Sequence, residues 1–144
     1  MAQANSIINK FGKLIGWNSV TVNMMGRDVE GITAVSYGDS VEKENAYGAG
    51  KFPIGRGDGN YAATASLTLK KEEVIAIQRS LPSGKRLTDI APFDITVEYD
   101  YGGMKYRDRI RNCEFTGREV DVAQNDKTID TEFELIVSHI DWNV

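Results

Sequence analysis

The sequence predicts a mainly β fold of the α+β class: a β-sandwich or barrel of about seven antiparallel strands, one short flanking helix, and a long loop between the second and third strands. Three observations predict it. Apolar and polar residues alternate in several separate runs, as strands with one buried face require. The pair Gly102-Gly103 lies between two such runs, where a two-residue hairpin turn needs positive φ. The period lengthens to that of a helix in one stretch, residues 71–81. No repeat, low-complexity tract or proline-rich linker divides the 144 residues, so they form one domain.

Taken in order, Trp17–Met25 alternates, with Val20, Val22 and Met24 opposite Thr21 and Asn23. "GRD" offers a turn and "VEGITAVSY" reads as the returning strand. Residues 38–60 carry glycine at 38, 48, 50, 55, 57 and 59 and no clear periodicity, and read as a long irregular loop. "YAATASLTL" is the next strand, with Tyr61, Ala63, Ala65, Leu67 and Leu69 on one face. In "KKEEVIAIQRSL", Val74, Ile77 and Leu81 form one helical face. Glu72 and Glu73 lie in its first turn and "PSG" follows its end.

"FDITVEYDYGGMKYRDRIRN" is the most legible hairpin. With the two glycines as the turn, Asp100 opposes Lys105, Glu98 opposes Arg107, Asp94 opposes Arg111, and Thr96 faces Arg109. On the other face Tyr99 meets Tyr106 and Ile95 meets Ile110. Each such pair contributes only about 0.2–1 kcal/mol, so the ladder specifies register more than stability. This charged face is either solvated or lines a water-filled space. "CEFTGREVDVA" reads as a bent strand with a bulge at Gly117, "QNDK" as a turn, and "TIDTEFELIVSHIDW" as a long final strand with Phe133, Leu135 and Val137 inward.

Composition excludes several function classes. A net charge of -4 argues against general nucleic-acid binding. A lone cysteine, Cys113, precludes an internal disulfide and reads as a small buried apolar residue. No apolar run approaches the length of a membrane span, and "MAQANSIINKFGKLIGW" is too polar for an export signal; synthesis in a cytoplasm is the expectation.

The motifs of chemistry fail on inspection. A P-loop would need glycine at Asn45 and Ser or Thr at Phe52. Arg56-Gly57-Asp58 matches an adhesion tripeptide but reads better as a tight turn. His139, the lone histidine, reads as a core or interface residue, and Asp121, Asp126 and Asp130 lack calcium-loop spacing. The interleaved Lys105, Arg107, Arg109 and Arg111 are offset by facing acids, and Tyr106 points to the opposite face. No catalytic residue, metal or cofactor is expected.

The order of elements carries more information. An N-terminal hairpin ("VTVNMMGRDVEGITAVSY"), a long polar loop, "GNYAATASLTL", a short helix ("KKEEVIAIQRS") and a run of strands ending in "FELIVSHIDWN" together resemble the tail tube proteins of bacteriophages, and more distantly the tubes of contractile injection systems. "GAGKFPIGRGDGNY" is similar to segments preceding the third strand in contractile-phage tube proteins. The resemblance spans about residues 17–142.

It implies a non-enzymatic homohexamer whose rings stack into the inner tube of a virion tail, made in the host bacterial cytoplasm. DNA would be present only in transit, no membrane would be involved, and sheath, baseplate and terminator proteins would be further partners. The long loop would be an assembly arm reaching a neighbouring ring. Tyr47, Phe52, Pro53 and Ile54 would anchor it, Lys51 and Arg56 would pair with acids, and Trp142 would anchor an edge. The face of Asp94, Glu98, Asp100, Lys105, Arg107, Arg109 and Arg111 would line the lumen or meet a sheath. Alternatives are an initiator, terminator or injection-system ring, a ligand-binding β-barrel lined by Phe93, Tyr99 and Tyr106, and a hydrolase using two carboxylates.

Overall fold

The computed structural model describes residues 14–144, so most of the polar N-terminal stretch lies outside it. The elements are β1 (Val20–Met24), β2 (Arg27–Asp28), β3 (Ile32–Tyr47), β4 (Pro53–Lys70), α1 (Lys71–Arg79), β5 (Phe93–Tyr101), β6 (Met104–Phe115), β7 (Asp130–Ile136) and β8 (His139–Asp141). The pairing is antiparallel throughout, in the order β2-β1-β5-β6-β7-β4-β3, with β8 also on β6. The mainly β, α+β expectation is met, but the sheet stays open and forms no closed barrel.

The sheet bends over itself. Tyr37 of β3 thereby comes within 2.7 Å of both the Tyr99 hydroxyl on β5 and the Asp108 carboxylate on β6. One core fills the fold: Val22, Met24, Ile95, Val97, Ile110 and Phe115 join Leu67, Leu69, Phe133 and Leu135, and α1 adds Val74 and Ile77. Burying each large side chain stabilises by roughly 1.5–3 kcal/mol.

The β5–β6 hairpin has the predicted register from Tyr101↔Met104 to Ile95↔Ile110, turning on Gly102 (φ 58°) and Gly103 (φ 84°). Beyond Ile110 the register shifts, because β6 carries an extra residue where Arg111 and Asn112 oppose Asp94. The Asp94 carboxylate closes this bulge, accepting from the Asn112 N–H at 3.1 Å and from Arg111 Nη1 at 2.8 Å. Asn112 takes φ 53°, which moves the buried side of β6 from Ile110 to Cys113. The last strand slips at the same level, between Val137 and Ile140, so both strands kink together and stay paired in one register. His139, expected in the core or at an interface, falls on the outer side of that kink and is half exposed, which removes the core alternative.

Three further expectations are corrected. The N-terminal hairpin is only nominal: the chain turns at Met25-Gly26, but just Arg27 and Asp28 pair back onto β1. Gly31 then passes against Glu73, its N–H donating to Oε1 at 3.1 Å, in a space that no side chain at position 31 could share. From there Ile32 opens a strand at the opposite edge of the sheet, paired with β4.

Of the stretch 113–123, read as a bent strand, only 113–115 is strand; 116–123 is irregular, and Val120 and Val122 alternate with polar residues but meet no partner strand among the described residues and lie exposed. The Asp126 turn there does form, its carboxylate accepting from the Ala123 N–H at 2.8 Å. The segment 38–60, read as a loop, is instead strand on both sides of a short tip, paired from Asp39↔Ala63 to Tyr47↔Pro53. Helix α1 ends at Arg79, close to its expected end, with Ser80 Oγ donating to the Ile77 carbonyl.

Candidate functional site

The distal part of the β3–β4 hairpin is a two-stranded arm. By strand rise, it extends roughly 25–30 Å beyond Tyr61. Every residue from Asp39 to Ala62 is exposed. Its tip gathers Tyr47, Phe52 and Ile54, which are 65%, 72% and 74% exposed. Lys51 Nζ lies 5.7 Å from the centre of the Phe52 ring, Pro53 pairs with Tyr47, and Arg56 Nε donates to Asn45 Oδ1 at 2.9 Å. The four expected anchors and the two bases expected to pair with acids are therefore brought together, at the end of a hairpin rather than along a loop.

The arm's two faces differ. Gly55 and Gly57 occupy alternate positions of β4 and so share a face, while Gly59 lies at a bulge where β4 carries an extra residue. Among the described residues, a Cβ at Gly55 or Gly57 would meet nothing within 4 Å, and none of the three has positive φ. The monomer's own fold gives no reason for glycine at 55 and 57. Both edges of the arm also carry unpaired backbone groups, since β7 reaches β4 only from Thr64 onward.

The root of the arm is clamped to the body. Asp39 Oδ2 accepts from the Trp142 indole N–H at 2.9 Å and the Tyr61 hydroxyl at 2.7 Å. Those two bonds, the indole first, hold the Asp39 carboxyl below the ordinary range. The Tyr61 oxygen in turn accepts the Ile140 N–H, and the Trp142 ring packs on Tyr37 at 5.6 Å. Trp142, expected as an edge anchor, is thus engaged within the chain and 46% exposed.

Beneath it lies Asp108, 2% exposed and the one buried charged residue among those described. Its carboxylate accepts from the Tyr37 hydroxyl and, at 3.2 Å, from the Asn143 N–H. Burial, then its bonds to Tyr99 and Asp108, push the Tyr37 phenol far above its usual range. Phe93 packs against Phe115, while Tyr99 packs against Tyr106 and bonds Tyr37.

The charged face forms on the outer side of β5, β6 and β8. Glu98 receives both Lys105 (3.3 Å) and Arg107 (3.7 Å), so Lys105 reaches diagonally past Asp100, the residue opposite it. Arg111 is held between Asp94 and Asp141, 2.8 Å from each. The Asn112 N–H and Arg111 outweigh the burial that would raise the Asp94 carboxyl, and hold it low. Arg109 lies between Thr96 and Asp141 in register. All seven predicted residues share this face.

Sequence reasoning missed Asp39, Tyr61, Tyr37, Asp108 and Asp141. Asp39 fell inside the span read as irregular. Asp108 had a usable signal, since it sits on the apolar phase of β6 between Tyr106 and Ile110. Asp126 and Asp130, considered for calcium, are occupied elsewhere, in the Ala123 turn and in a 3.0 Å ion pair with Lys70. Cys113 is fully buried, and burial, aided by the Asp94 charge, pushes its thiol up to about 12. Among the described residues no helix is long and apolar enough to cross a membrane. Comparison with protein-family models and with curated protein sequences finds no match to this chain.

Proposed function

We propose that the chain is a structural subunit that assembles with copies of itself into stacked hexameric rings, the inner tube of a phage tail through which DNA passes. The hexameric stoichiometry and the virion setting rest on the resemblance in element order. The observation that carries self-assembly is the arm: a paired ribbon with an aromatic and aliphatic tip, bare edges and an open glycine face, tied to the body, among the described residues, only at its root. Exposed apolar clusters of this kind mark interaction surfaces. Glu42, Lys43, Glu44 and Asp58 along the ribbon oppose indiscriminate strand addition, which suits a surface reserved for one partner.

The charged outer face fits a conduit wall. Three of its four basic residues, Lys105, Arg107 and Arg111, are engaged by Glu98, Asp94 and Asp141, so few fixed cations would hold a passing phosphate chain. On this reading no residue acts as a catalyst and no cofactor is used.

Negative-stain electron microscopy across a concentration series tests the proposal. Rings or hollow tubes with sixfold end views are expected. Isolated small particles at every concentration would overturn it.

A further inference from the structure

We infer that the arm tip of one copy seats on the outer face of β7 of a second copy, in the cleft between Glu132, Glu134 and the Thr116–Glu119 segment. This deepens the assembly reading and rests on it.

The argument is charge and shape. Between Asn45 and Gly57 the arm carries Lys51 and Arg56 and no acidic residue. The cleft presents Glu119, Glu132 and Glu134. The one base beside them, Arg118, is turned toward α1, where Nη1 bonds Gln78 Oε1 at 2.7 Å. Glu132 and Glu134 are exposed because Phe133 and Leu135, alternating with them, take the core side. The cleft holds about 590 Å³.

The neighbouring surface is low. Register places Ser66 and Ser36 beside Glu134, and Thr68 beside Glu132, so small hydroxyl side chains extend the cleft toward the bare edge of β3. Ile136, on the same outer side of β7, is exposed and gives the tip's Tyr47, Phe52 and Ile54 an apolar surface to cover. A chain's own tip cannot serve, because its arm continues from the same β3 and β4 strands in paired form and would have to unpair to fold back. The occupant is therefore a second copy.

Charge reversal with rescue tests this. Lys51→Glu with Arg56→Glu, and separately Glu132→Lys with Glu134→Lys, should each raise the concentration needed for assembly by about tenfold or more. The chain carrying all four changes should recover most of the loss. As a second readout, a chain with Phe52→Cys and Glu119→Cys treated with a short bis-maleimide should give cross-linked dimers and longer ladders; native Cys113 is buried and silent. If wild-type oligomers form while the β7 reversals are silent and no ladder appears, the docking surface is wrong and the assembly reading stands. If neither oligomers nor cross-links appear at any concentration, both are overturned.

Discussion

The chain contains two long hairpins built by the same antiparallel pairing, and they sit at opposite extremes of the fold. β5–β6 has a strand on each side: β1 pairs with β5, and β7 and β8 pair with β6. Its inner residues Ile95, Val97 and Ile110 are fully buried. Among the described residues the distal β3–β4 arm has no strand on either side, and its large apolar residues are exposed. Backbone pairing is thus common to both, and packing is not. Where packing is missing, stability has to come from the clamp at the root or from another molecule.

The same substitution in each hairpin should expose that difference. Ile110→Ala is expected to cost about 3 kcal/mol and lower the melting temperature by roughly 6–12 °C, since the emptied site is enclosed on all sides. Ile54→Ala should change monomer stability by less than about 0.5 kcal/mol, yet weaken assembly. Thermal melts of the two variants, with sedimentation of each, would measure both. Equal losses of monomer stability would mean the tip is packed within its own chain.

Next in size is the junction between the two hairpins. Asp108→Ala removes the acceptor of the Tyr37 hydroxyl and the Asn143 N–H, in a site that excludes water. A loss of about 1–3 kcal/mol is expected, with faster hydrogen exchange at Asn143. Unchanged exchange there would show that the C-terminal segment is held by its other contacts.

The comparison also explains what the sequence could reveal. β5–β6 was legible because a packed hairpin leaves two signals, alternation on the buried face and matched charges on the other. Only its bulge was hidden, because Asp94 and Arg111 still meet, by a hydrogen bond across an extra residue rather than in plain register. The arm was illegible for the complementary reason. A ribbon with no buried face needs no alternation, so Gly55, Gly57 and Gly59 looked like loop residues although their backbone is extended. The error over residues 116–123 is its mirror image: Val120 and Val122 alternate, but alternation forms no strand without a neighbour to pair with. The charged face was found residue by residue from register, whereas the root clamp depends on Trp142 approaching Asp39 across 103 positions, which no local pattern encodes.

A smaller effect concerns pH. Asp39, Glu73 and Asp94 all have carboxyls held low: Asp39 chiefly by Trp142, Glu73 chiefly by Arg27, and Asp94 by the Asn112 N–H and Arg111 against burial. A carboxyl whose folded pKa is depressed contributes stability above its unfolded value, near 4, and that contribution is lost as pH falls through the folded value. Urea midpoints should therefore decline below about pH 4. Asp39 is almost fully in water, so its share is small and local. Its release should appear as a drop in exchange protection along the arm in acid, measured against the intrinsic rate at each pH, and absent in Trp142→Phe because that arm is already loosened at neutral pH. An arm whose exchange protection ignores both acid and Trp142→Phe would not be clamped at its root.

The smallest expected effect on the monomer separates the two hairpins most cleanly. Gly57→Val places a β-branched side chain at an extended position where it meets nothing, so the monomer should hold its stability or gain a few tenths of a kcal/mol. Assembly should nevertheless fail, because a partner lying flat on the arm needs that face bare. Melting temperature and the concentration dependence of oligomer formation, taken together, measure both halves. If Gly57→Val assembles like the wild type, the glycine face is solvent-facing in the assembly and the tip alone makes the contact. If the monomer itself is destabilised, the arm packs on its own body and the contrast between the two hairpins collapses.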